Sequence, residues 1–319
     1  MTEQKQKGLV LTGLDGTNPL AFLAALGTLR GLTLAWPERQ VCLSWTLLDS
    51  WRPTLHVDEG TPSEDEALNG VERFTEMRPG HEALRIADSL TIHVDEFRTH
   101  ALDAALAADP SLEGRSAADF IAAFGCDAIK PADQEGRIQD TALRTMSGTG
   151  HQHFLKTMRE LTEKVNRDKI WQSLFHRWER KDPQLSLRWD PEEDRRYALR
   201  WKNPSDDKVR VKGKSGAPTE WGANRLAFEA LPLFPVMPVG QGIQTTGFSG
   251  NRSHDTFWTW PIWDVPADLD TVRSLLALQD LQRNYIDRTA LAAMGIRQVF
   301  KSQRITFGKY RSFAPAIPV

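Results

Sequence analysis

The sequence has little cysteine and no long apolar run, and these two absences exclude several classes of protein. Only two of the 319 residues are cysteines, Cys42 and Cys126, too few for a disulfide framework or a cysteine zinc site. No stretch reaches the roughly 20 apolar residues that a membrane helix needs. The first seven residues are polar and include Glu3, so they do not resemble a secretory signal. We therefore expect a cytoplasmic protein without a membrane partner.

Sequence motifs for catalysis are also missing. The GxxxxGK[ST] spacing of a P-loop is absent, which gives no support to nucleotide hydrolysis. No HxxxE motif or repeated carboxylate pair marks a two-metal nuclease. His151 and His153 stand two positions apart, where helical side chains point in different directions, and no neighbouring carboxylate or cysteine completes a metal site. The sequence therefore predicts no catalytic residue, no metal ligand and no cofactor.

Charge is distributed unevenly along a chain whose net charge is only −2. Residues 58–119 contain fifteen acidic and five basic side chains, whereas residues 156–214 contain seventeen basic and eleven acidic ones. After Asp287 there are six basic residues and no acid. Such segregation supplies a local positive field for a polyanion on a protein that is nearly neutral overall.

The hydrophobic pattern predicts an α+β fold with a mixed sheet core, built from an N-terminal β-α-β-β unit and C-terminal strands, with an inserted helical lobe. Asn18 and Pro19 fit the cap and the first position of a helix that ends near Ala35. Further helices are expected to begin near residues 151, 168, 221 and 268, and strands are expected at 185–189, 197–201, 257–263 and 298–307. The predicted parts are residues 1–57 (core), 58–145 (acidic, mostly helical insertion) and 146–319 (basic, tryptophan-rich part completing the core).

A glycine-rich turn precedes the helix predicted near residue 151. Glycines let backbone amides face an anion, and a helix N-terminus adds a partial positive charge. This pattern predicts a phosphate site at Gly148, Thr149, His151 and Gln152. An ordinary turn before a helix would have the same sequence.

Two basic segments are candidates for binding a sugar-phosphate chain, because arginine and lysine neutralise phosphates and exposed aromatic rings stack on bases. Strands with inward aromatic residues and a solvated charged face would look the same. The first segment contributes Arg195, Arg196, Arg200, Lys202, Lys208, Arg210, Lys212 and Lys214. The second contributes Lys301, Gln303, Arg304, Lys309 and Arg311.

Several blocks of the sequence resemble a CRISPR-associated family. Residues 17–27, with Asn18, Pro19, Phe22 and Gly27 in place, resemble the "NP-x-x-F-x-x-x-x-G" start of the third Csb family, which occurs with type I-G (formerly I-U) systems. Later blocks fall in the same order. They are residues 143–148 with Gln152 ("K-T-x-x-G-x-Q"), residues 224–238, residues 257–262 ("TW-x-x-P") and residues 300–318 ("AF-x-PA-x-P"). Met146, where the family has an aromatic residue, and the acidic stretch at 58–119 depart from the pattern and leave open another type I or hybrid subtype.

The resemblance implies a non-catalytic, large-subunit-like or accessory component of a crRNA-guided type I surveillance complex. Its expected partners are crRNA or target DNA, or both, and other subunits of the effector. In such complexes guide pairing reads the sequence while protein subunits hold the phosphate backbone. Two other hypotheses remain open at this point. One is a nuclease or phosphotransfer enzyme that uses His151, His153 and His254, and the other is a structural adaptor that contacts only protein.

Overall fold

The chain opens with the β-α-β-β unit that its sequence predicts. The computed structural model describes residues 8–58, 60–127, 136–148, 152–193, 218–240, 242–250, 255–283, 285–307 and 310–319. The unit comprises β1 (Leu9–Val10), α1 (Pro19–Ala35), β2 (Val41–Leu47) and β3 (Trp51–Val57). The Asn18 Oδ1 accepts hydrogen bonds from the backbone amides of Leu20 and Ala21 at 2.9 and 3.3 Å. Pro19 follows at the first helical position, where its missing N–H costs no hydrogen bond.

The acidic middle of the chain is mostly helical, as predicted. Its elements are α2 (Glu64–Met77), a 3₁₀ helix (His81–Arg85), α3 (Val94–Ala107) and α4 (Ser116–Phe124). Helix α2 begins with a capping box, in which the Ser63 hydroxyl accepts from the Glu66 amide and the Glu66 carboxylate accepts from the Ser63 amide. This arrangement satisfies donors that a helix start leaves unpaired.

The second half of the described chain alternates helices with short strands. The α-helices are α5 (Phe154–Lys164), α6 (Arg167–Phe175), α7 (Trp221–Phe228), α8 (Leu269–Leu276) and α9 (Arg288–Ala293). The strands, with two from the middle of the chain, are β4 (Gly125–Cys126), β5 (Gln139–Asp140), β6 (Val236–Val239), β7 (Gly242–Thr245), β8 (Phe248–Ser249), β9 (Phe257–Trp263), β10 (Ile296–Phe307), β11 (Tyr310–Phe313) and β12 (Ile317–Pro318). Short 3₁₀ helices lie at Leu231–Leu233 and Gln279–Gln282.

The strands form antiparallel sheets, and together with the helices they confirm the α+β class. One sheet has the order β1-β3-β2, and a second has the order β11-β10-β9-β8 with β12 paired to β10. The N-terminal and C-terminal strands therefore enter the core as two sheets, not as the one mixed sheet expected. Among the described residues, the backbone pairing between these two sheet regions is an isolated bridge between Leu43 and Ala267. Strands β4 with β5 and β6 with β7 form separate two-stranded pairs.

A cluster of aromatic side chains joins the two sheets to α1. Phe22 stacks on Trp45 of β2 at a centroid distance of 5.5 Å and contacts Trp260 of β9 at 5.6 Å. The Trp263 indole donates to the Leu43 carbonyl at 2.7 Å. Each indole therefore buries a large apolar area, and Trp263 also crosses from one sheet to the other with a satisfied N–H.

Helices α1 and α7 approach so closely at Gly27 that a side chain does not fit. A Cβ built on Gly27 would lie 1.8 Å from the Leu226 carbonyl oxygen. The four residues of the "NP-x-x-F-x-x-x-x-G" pattern thus have structural roles. Asn18 and Pro19 start α1. Phe22 packs within the aromatic cluster, and Gly27 leaves room for α7.

The predicted strand at residues 185–189 is wrong. Leu185 and Arg188 have φ values of 51° and 56°, which an extended strand does not allow. The segment is held by side chains instead of a ladder. Asn224 Oδ1 accepts from the Leu187 amide at 2.9 Å, and the Trp189 indole donates to the Leu143 carbonyl at 2.8 Å. The predicted strand at 197–201 lies outside the described residues.

The three predicted parts of the chain contribute to one cluster of buried apolar side chains. That cluster contains Leu26 from the first part, Phe120 from the second and Trp258 from the third. The boundaries at 57/58 and 145/146 stay predictions. Within the described ranges, no helix combines the length and the apolar character that crossing a bilayer requires.

Candidate nucleic-acid interface

The predicted site residues divide into those that the structure describes and those outside it. Gly148, Gln152, Lys301, Gln303, Arg304 and Arg311 are described. The predicted residues outside the described ranges are Thr149, His151, Arg195, Arg196, Arg200, Lys202, Lys208, Arg210, Lys212, Lys214 and Lys309. The candidate interface is therefore built from the first group.

The Gly148 turn is closed by its own hydrogen bonds. The Gly148 amide donates to the Gln152 carbonyl at 2.9 Å. The Gln152 side-chain oxygen accepts from the Ser147 hydroxyl at 3.2 Å and from the Arg188 guanidinium at 3.5 Å. The amide that the sequence offered to an anion is thus already engaged, and Gln152 organises the turn.

Strand β10 sends its predicted site residues to opposite faces. Ser302 and Arg304 share a face with Trp258 and Phe313, their partners across the sheet, because directly paired residues project to the same side. Lys301 lies on the other face, where its ammonium group sits 4.6 Å from the centroid of the Phe257 ring. Gln303 pairs with Phe257 and projects with Lys301. The structure therefore separates Lys301 and Gln303 from Arg304.

Arg304 and Arg311 lie together on the first face and meet a third arginine from a distant part of the chain. Arg311 pairs with Thr306, two positions along β10 from Arg304. The Arg304 guanidinium donates to the Arg144 carbonyl at 3.1 Å. We call Arg144, Arg304 and Arg311 the arginine cluster.

One carboxylate, Asp140, ion-pairs with the arginine cluster among the residues the structure describes. It accepts from the Arg144 guanidinium, and its second oxygen lies 4.0 Å from Arg311. Burial, followed by repulsion from Arg311, lowers the pKa of Arg304 to about 9. Burial, followed by repulsion from Arg311, Arg304 and Arg137, lowers the pKa of Arg144 to about 10. Arginine side chains stay protonated at neutral pH, so the cluster contains three positive charges for the one negative charge of Asp140, and Arg137 adds a further positive charge that acts on Arg144.

Arg144 was quoted in the family resemblance but was not predicted as a site residue. Its side chain is only 9% exposed, and a buried arginine is uncommon unless it is paired. A signal was available in the sequence, because Arg144 lies four residues after Asp140 and four residues before Gly148. Its contact with Arg304, 160 positions away, is set by tertiary packing.

Of the three histidines in the enzyme hypothesis, the structure describes one. His153 precedes α5, whereas His151 and His254 lie outside the described ranges. Among the described residues, no group of three or more His, Cys, Asp or Glu side chains could hold a metal ion.

In two surface clefts, several of the cations are paired with carboxylates. A cleft of about 690 Å³ is lined in part by Asn18, Arg52 and Arg180. Arg52 pairs with Asp49 at 2.5 Å, and Arg180 pairs with Asp190 at 2.6 Å. A second cleft of about 560 Å³ is lined by a similar mixture of charges, including Lys169, which pairs with Asp182 at 2.5 Å. Arg177 also lines both clefts, but in each cleft the lining carboxylates equal the lysines and arginines in number. The arginine cluster, with its excess of positive charge, is therefore the better candidate for an anion.

Comparison of the chain with protein-family models, curated proteins and solved structures gave no match in any of the three cases.

Proposed function

We propose that this chain is a non-catalytic nucleic-acid-binding subunit of a type I CRISPR surveillance complex. The arginine cluster would contact the phosphates of crRNA or target DNA. The single observation that carries the proposal is the excess of two positive charges where Arg144, Arg304 and Arg311 meet Asp140. The motif resemblance supplies the biological setting, and the cytoplasm is the compartment in which such a complex acts.

The physical support is the unfavourable state of the cluster without an anion. Arg304 and Arg311 project from neighbouring strands on one face, and like charges in such positions repel each other. Partial burial weakens the screening of that repulsion by solvent. A phosphate group would relieve both the repulsion and the lack of acceptors, since guanidinium groups bind phosphate through charge-assisted hydrogen bonds.

The proposal is tested by measuring how salt affects binding of single-stranded RNA and DNA. Fluorescence anisotropy between about 50 and 200 mM KCl gives the dependence of affinity on salt. Replacing Arg311 by Gln should weaken binding and flatten the slope of log K against log [KCl] by about 0.7, the value for one phosphate contact on a single strand. Co-purification from the source cell should also recover bound RNA and effector subunits.

A matched control is available on the same strand. Arg297 of β10 pairs with Asp264 at 2.6 Å and is half-exposed. The Arg297→Gln variant also removes one positive charge, but it should leave the salt slope unchanged. Equal slopes in wild type and Arg311→Gln would remove the cluster from the interface. Absence of any cross-link to RNA or DNA in an assembled complex would favour the protein-only adaptor instead.

A further inference from the structure

We infer that the arginine cluster is a receptor for one terminal phosphate of a nucleic-acid chain, a phosphomonoester and not an internal phosphodiester. This inference rests on the proposed function and narrows the ligand of the same site. It follows from the hydrogen bonds of the three guanidinium groups, from the net charge of the cluster, and from the solvent exposure of its side chains.

Arg144 serves as the fixed part of the receptor. Its Nε donates to the Met146 carbonyl at 2.7 Å, and one terminal nitrogen donates to Thr91 Oγ1 at 3.1 Å and to the Ser147 carbonyl at 2.8 Å. The other terminal nitrogen donates to Asp140. Arg144 is thus a positioning residue that fixes the charge while its own donors are used within the protein.

Arg304 and Arg311 hold the donors that remain for a ligand. The Arg304 Nε is buried and forms no hydrogen bond with any residue in the described part of the chain. Within the same part of the chain, the nearest carboxylate oxygen to Arg311 is that of Asp140 at 4.0 Å, beyond hydrogen-bond length. Leaving the buried Arg304 donor unpaired is costly, and a phosphate placed between these two side chains would accept from both.

The charge of the cluster matches a monoester better than a diester. The three guanidinium groups of the cluster and Asp140 leave a net charge of +2, and the positive charge of Arg137 also acts on Arg144. A phosphomonoester carries roughly −1.5 to −2 at pH 7 because its second pKa is about 6, whereas a backbone diester carries a single negative charge. One end phosphate therefore offsets nearly twice as much of this positive charge as one backbone diester does.

The exposure of the cluster also favours a chain end. The Arg311 side chain is 32% exposed and Asp140 is 17% exposed, but Arg144 is only 9% exposed. The Arg304 Nε is buried, so a ligand held by Arg311 would have to project inward to reach it. A terminal phosphate has one ester substituent and can project in this way, whereas an internal diester has sugars on both sides that follow the surface.

The test compares oligonucleotides of one sequence that carry a 5′-phosphate, a 3′-phosphate or hydroxyl groups at both ends. One phosphorylated form should bind about tenfold more tightly than the hydroxyl form, the effect of roughly one charge-assisted hydrogen bond. In Arg304→Gln and Arg311→Gln the three oligonucleotides should bind equally. Arg297→Gln should keep the full difference, and Arg311→Lys should lose most of it, since lysine lacks the planar fork of arginine. Circular dichroism and thermal melting verify that each variant folds.

The outcomes separate this inference from the proposed function. Equal affinity of all three oligonucleotides for the wild type, with a salt slope that Arg311→Gln reduces, overturns the terminal-phosphate receptor and leaves backbone binding intact. No binding of any oligonucleotide overturns both. Inorganic phosphate serves as a competitor of the phosphorylated oligonucleotide. If it competes as strongly as unlabelled phosphorylated oligonucleotide at the same concentration, the inference is overturned, because the nucleic-acid chain would then contribute nothing to binding.

Discussion

Arg30 and Glu229 form a salt bridge of 3.2 Å in which neither side chain is exposed to solvent. His81 donates to the same carboxylate at 2.8 Å, and Arg225 donates to it as well. Arg30 also donates to the Ser116 hydroxyl at 2.8 Å. These contacts join α1 and α7 to the 3₁₀ helix and α4 of the acidic middle part. A polar network therefore holds the helices of the acidic middle part against α1 and α7.

Removing the negative charge at Glu229 is expected to destabilise the protein strongly. Burial disfavours the charged carboxylate, but His81, Arg225 and Arg30 outweigh that effect and hold the pKa of Glu229 at about 2. In Glu229→Gln, two buried guanidinium groups would lose their carboxylate, and we expect a loss of about 3–5 kcal/mol in the free energy of unfolding. Urea denaturation of the wild type and the variant measures this loss. The control Glu72→Gln removes a half-exposed partner of Arg167 and should cost at most about 1 kcal/mol. Equal losses in the two variants would contradict the prediction.

Raising the pH from about 5 to about 8 is expected to destabilise the fold through Glu193. Burial, together with the charge of Asp190, raises the pKa of Glu193 to about 8, although hydrogen bonds from Ser186 and Thr219 and the charge of Arg180 oppose the shift. The folded protein therefore holds a proton that the unfolded chain releases near its ordinary pKa of 4.5. The stabilisation is complete below pH 4.5 and is lost as pH rises through about 8.

The prediction for Glu193 is measured as melting temperature against pH. The melting temperature of the wild type should fall between pH 5 and pH 8, and Glu193→Gln should reduce that fall because the amide is neutral throughout. Glu179→Gln, at an exposed position, controls for the titration of other groups. A pH profile of Glu193→Gln parallel to that of the wild type would refute the assignment.

Replacing Gly27 by alanine is expected to destabilise the protein, although alanine usually stabilises a helix relative to glycine. Alanine is favoured over glycine in a helix by about 1 kcal/mol, but here its Cβ would collide with the Leu226 carbonyl. We expect Gly27→Ala to cost at least about 2 kcal/mol, as overpacking typically does. Ala105→Gly, on the exposed face of α3, measures propensity alone. A stabilised Gly27→Ala would show that α1 and α7 separate easily.

Local sequence features predicted local structure well, and the candidate site less well. Asn18 and Pro19 indicated the start of α1 because capping depends on neighbours in the chain. Residues 185–189 have the apolar content of a strand, yet Leu187 and Trp189 are buried in an irregular segment, and composition does not distinguish the two cases. Arg304 was predicted as a site residue, but its proximity to Arg144 depends on packing between distant segments. A local pattern does not contain that information.

The advantage of a phosphorylated end is expected to depend on pH through the ligand. Between pH 5 and pH 7 a phosphomonoester gains almost one negative charge because its second pKa is about 6. The pKa values of Arg304 and Arg144, about 9 and 10, keep both groups protonated over this range. The ratio of dissociation constants for hydroxyl and phosphorylated oligonucleotides should therefore rise from pH 5 to pH 7 and level off by pH 8. If the ratio stays constant with pH, the second charge of the phosphate is not recognised, and the match between a dianion and a site of net charge +2 fails.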